Sequence, residues 1–140
     1  MTSLTIVRRI AARPSLVWEA LVTPAGLREW IGPDAGPVLV AETDPHVGGA
    51  FRLRFRMVDG SEHESTGNYL VFDPPHRLVM SWRWQGEEDD RGTSQVEISL
   101  RAIGEGSELT FTHSRLADDA TREGHRKGWT GALDKLEGMF

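Results

Sequence analysis

Apolar and polar residues alternate along most of this chain, and where the alternation stops the period lengthens to that of a helix. Leu4, Ile6 and Ile10 alternate with Thr5, Val7 and Arg9, which predicts a half-buried first strand, with Arg8 falling in phase with the apolar set. Pro14 then opens a short helix in which Leu16, Val17, Ala20 and Leu21 form an apolar stripe and Trp18 adds bulk beside it. Thr23 and Pro24 read as the N-cap and first residue of a second short helix, which carries Leu27, Trp30 and Ile31 and stops at Gly32 and Pro33.

From Val38 onward, strands are separated by turn chemistry at Gly48 and Gly49, Asp59 and Gly60, Asp73 to Pro75, Gly86 to Gly92, and Gly104 to Gly106. Connections this short predict an antiparallel meander. Phe51, Leu53, Phe55 and Met57 share one face, with Arg52, Arg54 and Arg56 behind them. Leu78, Met80, Trp82 and Trp84 alternate with Val79, Ser81 and Arg83, and Val96, Ile98, Leu100 and Ala102 with Glu97, Ser99 and Arg101. One sheet face is therefore apolar. Leu109 and Phe111 continue that face into His113 and Arg115, so the last strand turns polar toward its end.

The stretch from Asp118 to Phe140 has helical period. His125, Trp129, Ala132, Leu133, Leu136 and Phe140 make its apolar stripe, and about 22 helical residues span roughly 33 Å, enough to cross the sheet. Gly124, Gly128 and Gly131 lie in its interior, each at a cost of roughly 1 kcal/mol relative to alanine. Something must offset that cost: close approach of another backbone, or room for a ligand. The three glycines flank the apolar stripe; ligand room applies best to Gly128 if it faces the sheet, and for Gly124 and Gly131 close packing against a loop or first-strand backbone stands beside it as an equal reading. The sequence thus predicts an α+β fold in which a sheet of six to seven strands grips a long C-terminal helix, as one domain over residues 1–140.

Composition narrows the function classes. With 140 residues the chain is long enough for one substantial core, and no apolar run approaches the roughly 20 residues that span a bilayer. The absence of cysteine excludes disulfides and thiolate metal sites. A net charge of −5 argues against a phosphate-tracking nucleic-acid binder. Met1 to Arg9 lacks the apolar region and small-residue cleavage site of a secretory signal, which makes a cytoplasmic location the expectation. There is no Gly-x-Ser-x-Gly elbow, no His-Glu-x-x-His and no phosphate-cradling glycine loop. The five histidines, at positions 46, 63, 76, 113 and 125, have no metal-ligand spacing. The acidic run Glu87 to Asp90 reads as a solvated hairpin loop, without calcium-loop spacing. No cofactor or metal is expected.

The order of elements, together with Ile10 to Pro14 leading to Val17 to Leu21, Thr23-Pro24 to Trp30, Gly48 to Arg52, Gly67 to Leu70, Pro74 to Val79 with Ser81-Trp82, Leu109 to His113, and His125 to Trp129 with Leu133 and Leu136, resembles the START-like (SRPBCC, Bet v 1-like) superfamily. Within it, the chain is similar to the family named after the C-terminal domain of the activator of heat-shock protein 90 ATPase. The resemblance covers residues 3–139. It implies a helix-grip fold with a cavity between the long helix and the sheet. It also implies three kinds of function: a carrier or sensor of a hydrophobic or amphipathic small molecule, a polyketide-cyclase-like enzyme, or a chaperone-linked interaction domain.

The residues predicted to line such a cavity are Trp30, Phe55, Tyr69, Trp82, His113, His125 and Trp129. Indoles bring large apolar bodies with one N–H donor, which suits mixed apolar and polar ligands. In an enzyme, His113 or His125 would serve as acid or base. Arg8 and Arg115, in phase with apolar neighbours, call for a carboxylate partner, an anionic ligand or a place at a strand end. The row Arg52, Arg54 and Arg56 is expected on a solvated outer face balanced by Glu62 and Glu64. Monomer and homodimer both fit, the latter through exposed edge strands.

Overall fold

Seven strands and three helices follow the predicted order in the computed structural model, which describes residues 1–86 and 92–140. The run Glu87 to Asp90 lies outside the described residues. The elements are β1 (Thr2–Ile10), α1 (Pro14–Val22), α2 (Pro24–Trp30), β2 (Val38–Thr43), β3 (Ala50–Arg56), β4 (Glu62–Asp73), β5 (Arg77–Trp84), β6 (Ser94–Ile103), β7 (Gly106–Leu116) and α3 (Asp119–Gly138). All strands join one sheet in the order β1-β7-β6-β5-β4-β3-β2, every pairing antiparallel. The first strand pairs with the last, so α1 and α2 leave the sheet and return to its far edge.

The alternation written in the sequence places Phe51, Leu53, Phe55, Leu78, Met80, Trp82, Val96, Ile98, Leu100, Leu109 and Phe111 in one buried cluster with Trp129, Ala132, Leu133 and Leu136 of α3. The outer face carries the predicted arginine row. Arg52 bonds Glu42 and Glu64, while Arg54 and Arg56 share Glu62. Thr23 caps α2 by accepting the Gly26 amide, and Trp30 closes the two-helix step by donating its indole N–H to the Ala20 carbonyl at 2.8 Å.

Some residues depart from the predicted phase, among them Ala102, which is exposed, and Val79, which is buried. In α1, Leu16 is exposed and Trp18 is buried against Phe72, so the helix turns Trp18, not Leu16, toward the core. Arg115 adopts a positive φ of 62°, which slips the strand by one residue: Arg115 faces solvent and Leu116 takes the buried position. Phe140 lies beyond α3 and is exposed. Arg8 keeps its predicted phase and finds a carboxylate partner, Asp134 of α3 at 2.6 Å, with Glu137 at 3.9 Å.

That pair ties the C-terminal half of α3 to β1, and the loop after α2 fastens the other flank. Lys135 donates through Nζ to the carbonyls of Ile31 (3.2 Å) and Asp34 (2.6 Å). Between them, the Pro33 carbonyl occupies the space that a side chain at position 131 would need. Of the two readings, Gly131 therefore serves backbone contact. Gly124 does not: an added Cβ there meets nothing within 4 Å, and at Gly128 it meets only the Pro33 Cβ at 3.6 Å. Opposite signs follow for one substitution. Gly131→Ala is expected to lower stability by about 1–3 kcal/mol because the neighbour that must yield is main chain, whereas Gly124→Ala should raise it by about 1 kcal/mol through helix propensity. Urea denaturation of the two variants checks both.

Candidate functional site

The backbone of α3 packs on β1, β7 and α2 and stands farther from β3, β4 and β5. An open pocket of about 650 Å³ fills the difference. Its walls come from four places: the loop Ile31 to Asp34, the β3–β4 hairpin with Phe55, Met57 and His63, the end of β5 with Trp82 and Trp84, and α3 from Thr121 to Ala132. Volume and aromatic lining fall within the range of small-molecule sites. Gly124 and Gly128 face it from one side of α3, and their missing side chains widen it.

Four of the seven predicted residues, Phe55, Trp82, His125 and Trp129, line this pocket. Two others, Trp30 and Tyr69, lie deeper, around an apolar void of about 20 Å³. Ile31, Trp82 and Trp129 belong to both linings, so they form the floor between pocket and core. The deep interior between sheet and helix is thus packed by aromatic rings: Trp129 lies 4.5 Å from Phe111 and 5.0 Å from Trp82, and Phe51 lies 5.6 Å from both Tyr69 and Trp82. Burial, with Asp44 nearby, pushes the Tyr69 phenol up to about 12, so it stays protonated. The seventh residue, His113, lines neither space and is fully buried.

A hydrogen-bonded chain explains how a fully buried imidazole is tolerated. Trp129 donates its indole N–H to His113 Nδ1 at 3.0 Å, which makes Nδ1 the acceptor and assigns the proton to Nε2. That N–H is 2.7 Å from Ser94 Oγ, whose hydroxyl donates to the Trp82 carbonyl at 3.2 Å. Burial, reinforced by the nearby His125 ring, pushes His113 down to about 3, so it is neutral at physiological pH. His125 is placed in the same manner. Its Nδ1 donates to the Thr121 carbonyl one turn back at 2.8 Å, and its Nε2 accepts the Trp84 indole N–H at 3.0 Å. The two imidazoles meet edge to face, 4.8 Å apart. Both are built as parts of a wall.

Sequence reasoning did not select Trp84, His63, Met57, Asp34, Thr121 or Lys127, all of which line the pocket. Trp84 and Met57 carried the right signal, since each shares an apolar strand face with a predicted pocket residue, Trp82 and Phe55. The others sit in a hairpin end, a loop and the polar side of α3, where pattern alone gives no inward direction. Both carboxylate oxygens of Asp34 are occupied, one by the Gly36 amide at 2.9 Å and one by the Val58 amide at 3.1 Å, which joins the loop to the β3–β4 hairpin. Among the described residues, no group of three or more His, Asp or Glu could hold a metal ion, and no helix is long and apolar enough to cross a membrane.

The arrangement of sheet, helix and pocket has counterparts in known proteins. A family model described as Activator of Hsp90 ATPase homolog 1-like protein matches residues 11–140. A solved structure from Chromobacterium violaceum superposes with a TM-score of 0.88 at 25% identity, covering 98% of this chain and 95% of the other. The AHSA1 protein from Silicibacter pomeroyi gives 0.87 at 25% identity, covering 99% and 96%. A protein from Rhodobacter sphaeroides gives 0.81 at 28% identity, covering 99% and 91%. No curated protein matches the sequence.

Proposed function

Starting from the fact that the chain belongs to the Activator of Hsp90 ATPase homolog 1-like family, we propose that it binds a hydrophobic or amphipathic small molecule in the pocket beside α3 and acts in the cytoplasm as a carrier or sensor. The observation that carries this reading is the pocket itself: about 650 Å³, floored by Trp82 and Trp129, walled by Phe55, Met57 and Trp84, and left open by two helix glycines. A helix keeps such glycines at a cost to its own stability, and at Gly124 no backbone contact accounts for it. Of the residues proposed from sequence, Phe55, Trp82, His125 and Trp129 would touch the ligand, while Trp30, Tyr69 and His113 would support the floor from behind.

Binding is favoured over turnover because the ring nitrogens of His113 and His125 are all engaged in the wall, so neither imidazole offers an unoccupied acid or base to the pocket. The test is a thermal-shift screen over apolar and amphipathic compounds, followed by native mass spectrometry. A compound at about 100 times its Kd should stabilise the fold by roughly 2.7 kcal/mol. Gly124→Leu, which sends its side chain into open pocket space, should cut the shift to less than half without lowering the stability of the free protein. No shift with any compound would reject the reading.

A further inference from the structure

The polar groups left over in the pocket wall define the charge of what the pocket takes. This step rests on the reading that the pocket binds a small molecule. The acceptors are mostly spent inside the protein. Asp34 gives both carboxylate oxygens to backbone amides, the Thr121 carbonyl accepts from His125, and His125 Nε2 accepts from Trp84. Donors remain. The indole N–H of Trp82, a residue 3% exposed on the pocket floor, has no hydrogen-bond partner among the described residues. Lys127 is the sole lysine or arginine of the lining. The carboxylate one turn before it, Glu123, is taken by Arg122 at 3.0 Å and Arg126 at 3.5 Å, and Lys127 itself makes no ion pair among the described residues. A cation at the rim and a buried, unmet N–H in the floor residue Trp82 belong to a cleft whose apolar wall is Phe55, Met57, Trp84 and Trp129, with the Asp34 carboxylate tied to backbone amides at its loop side.

We propose that the ligand is an amphipathic organic acid, with an apolar body lying against the aromatic wall and a carboxylate or equivalent monoanion held at the mouth by Lys127. A neutral ligand of the same shape would leave the ammonium without a counter-charge, and a cation would meet it directly. The apolar body can be a fused ring or an alkyl chain; the anionic end is common to both.

Calorimetric titration with matched pairs tests this: naphthalene-2-carboxylate against naphthalene-2-carboxamide, and decanoate against decanamide. The pair is partly exposed, so the expected preference for the acid is about three- to tenfold, falling as salt is raised. Lys127→Gln should bring acid and amide to equal affinity, and Lys127→Arg should retain the preference. Equal or tighter binding of the amides, or an acid preference that survives in Lys127→Gln, overturns the proposal and leaves the pocket reading standing. If neither member of either pair binds, and the thermal-shift screen is also blank, both fall.

Discussion

Between pH 6.5 and 4.5 the protein is expected to lose about 2–3 kcal/mol of folding stability, and His113 should account for most of it. The folded state keeps this imidazole neutral because it is buried, with the Trp129 N–H occupying its Nδ1 lone pair and a second imidazole beside it. Its affinity for protons is depressed to about 3 in the fold, against 6.5 for an ordinary histidine. Below pH 6.5 the unfolded chain takes up a proton that the folded chain refuses, so acid favours unfolding; the loss runs on to about pH 3, where both states are protonated. Above 6.5 the contribution is complete. Each unit is worth about 1.4 kcal/mol. The carboxyls of Asp59, Glu62 and Asp118 also lie below their usual values but on the surface, and they act only in more acid solution. His46, beside Val47 and Asp44, shifts in the opposite direction and is likewise on the surface. Urea midpoints across this range give the slope, and His113→Gln should flatten it while costing stability at neutral pH. A slope unchanged in that variant would place the titration elsewhere.

Trp129→Ala should cost about 3–5 kcal/mol, near the upper end for a single truncation in a core. The indole packs on Phe111, Trp82 and Trp30, and its N–H is the partner of His113 Nδ1. Removal opens the floor of the pocket into the apolar void below and leaves a buried acceptor unmet, worth a further 1–3 kcal/mol where water cannot enter. Trp129→Phe separates the two contributions: it keeps most of the packing and loses the donor, with an expected cost of about 1–3 kcal/mol. Trp84→Phe, at a half-buried position that also donates to an imidazole, should cost less. Equilibrium denaturation of the three variants, read with one slope, gives the order; equal costs at positions 129 and 84 would contradict the assignment of Trp129 to the core.

Much of this architecture was legible in the chain. Period-two alternation in Phe51 to Met57, Leu78 to Trp84 and Val96 to Leu100 determined which side of each strand is buried, and the turn residues between them left room only for antiparallel neighbours. The helix announced itself through its stripe, and Asp118 caps it by accepting the Thr121 amide at 2.8 Å. What could not be read was the tilt of α3 across the sheet. That depends on Arg8 meeting Asp134 and on the Pro33 carbonyl seating against Gly131, contacts between residues more than 90 positions apart. The tilt decides where the pocket opens, so it also decides that Phe55 and His125 line it while Tyr69 and Trp30 stay behind the floor. The slip at Arg115 was equally invisible, because a lone arginine in αL conformation has no compositional mark.

The loop from Ile31 to Asp34 closes one side of the pocket; its carbonyls hold it to α3, and the Asp34 carboxylate holds it to the β3–β4 hairpin. A wall fastened through its own carbonyls and a single carboxylate is indifferent to much of the rest of the sequence that builds it. Residues on the opposite walls, at positions 55, 57, 63, 84, 124, 127 and 128, can therefore be exchanged without unfastening the mouth. For protein engineering, this divides the molecule into a fixed frame and a replaceable lining: ligand preference should be open to redesign at those seven positions, while Asp34, Gly131 and Lys135 are left untouched.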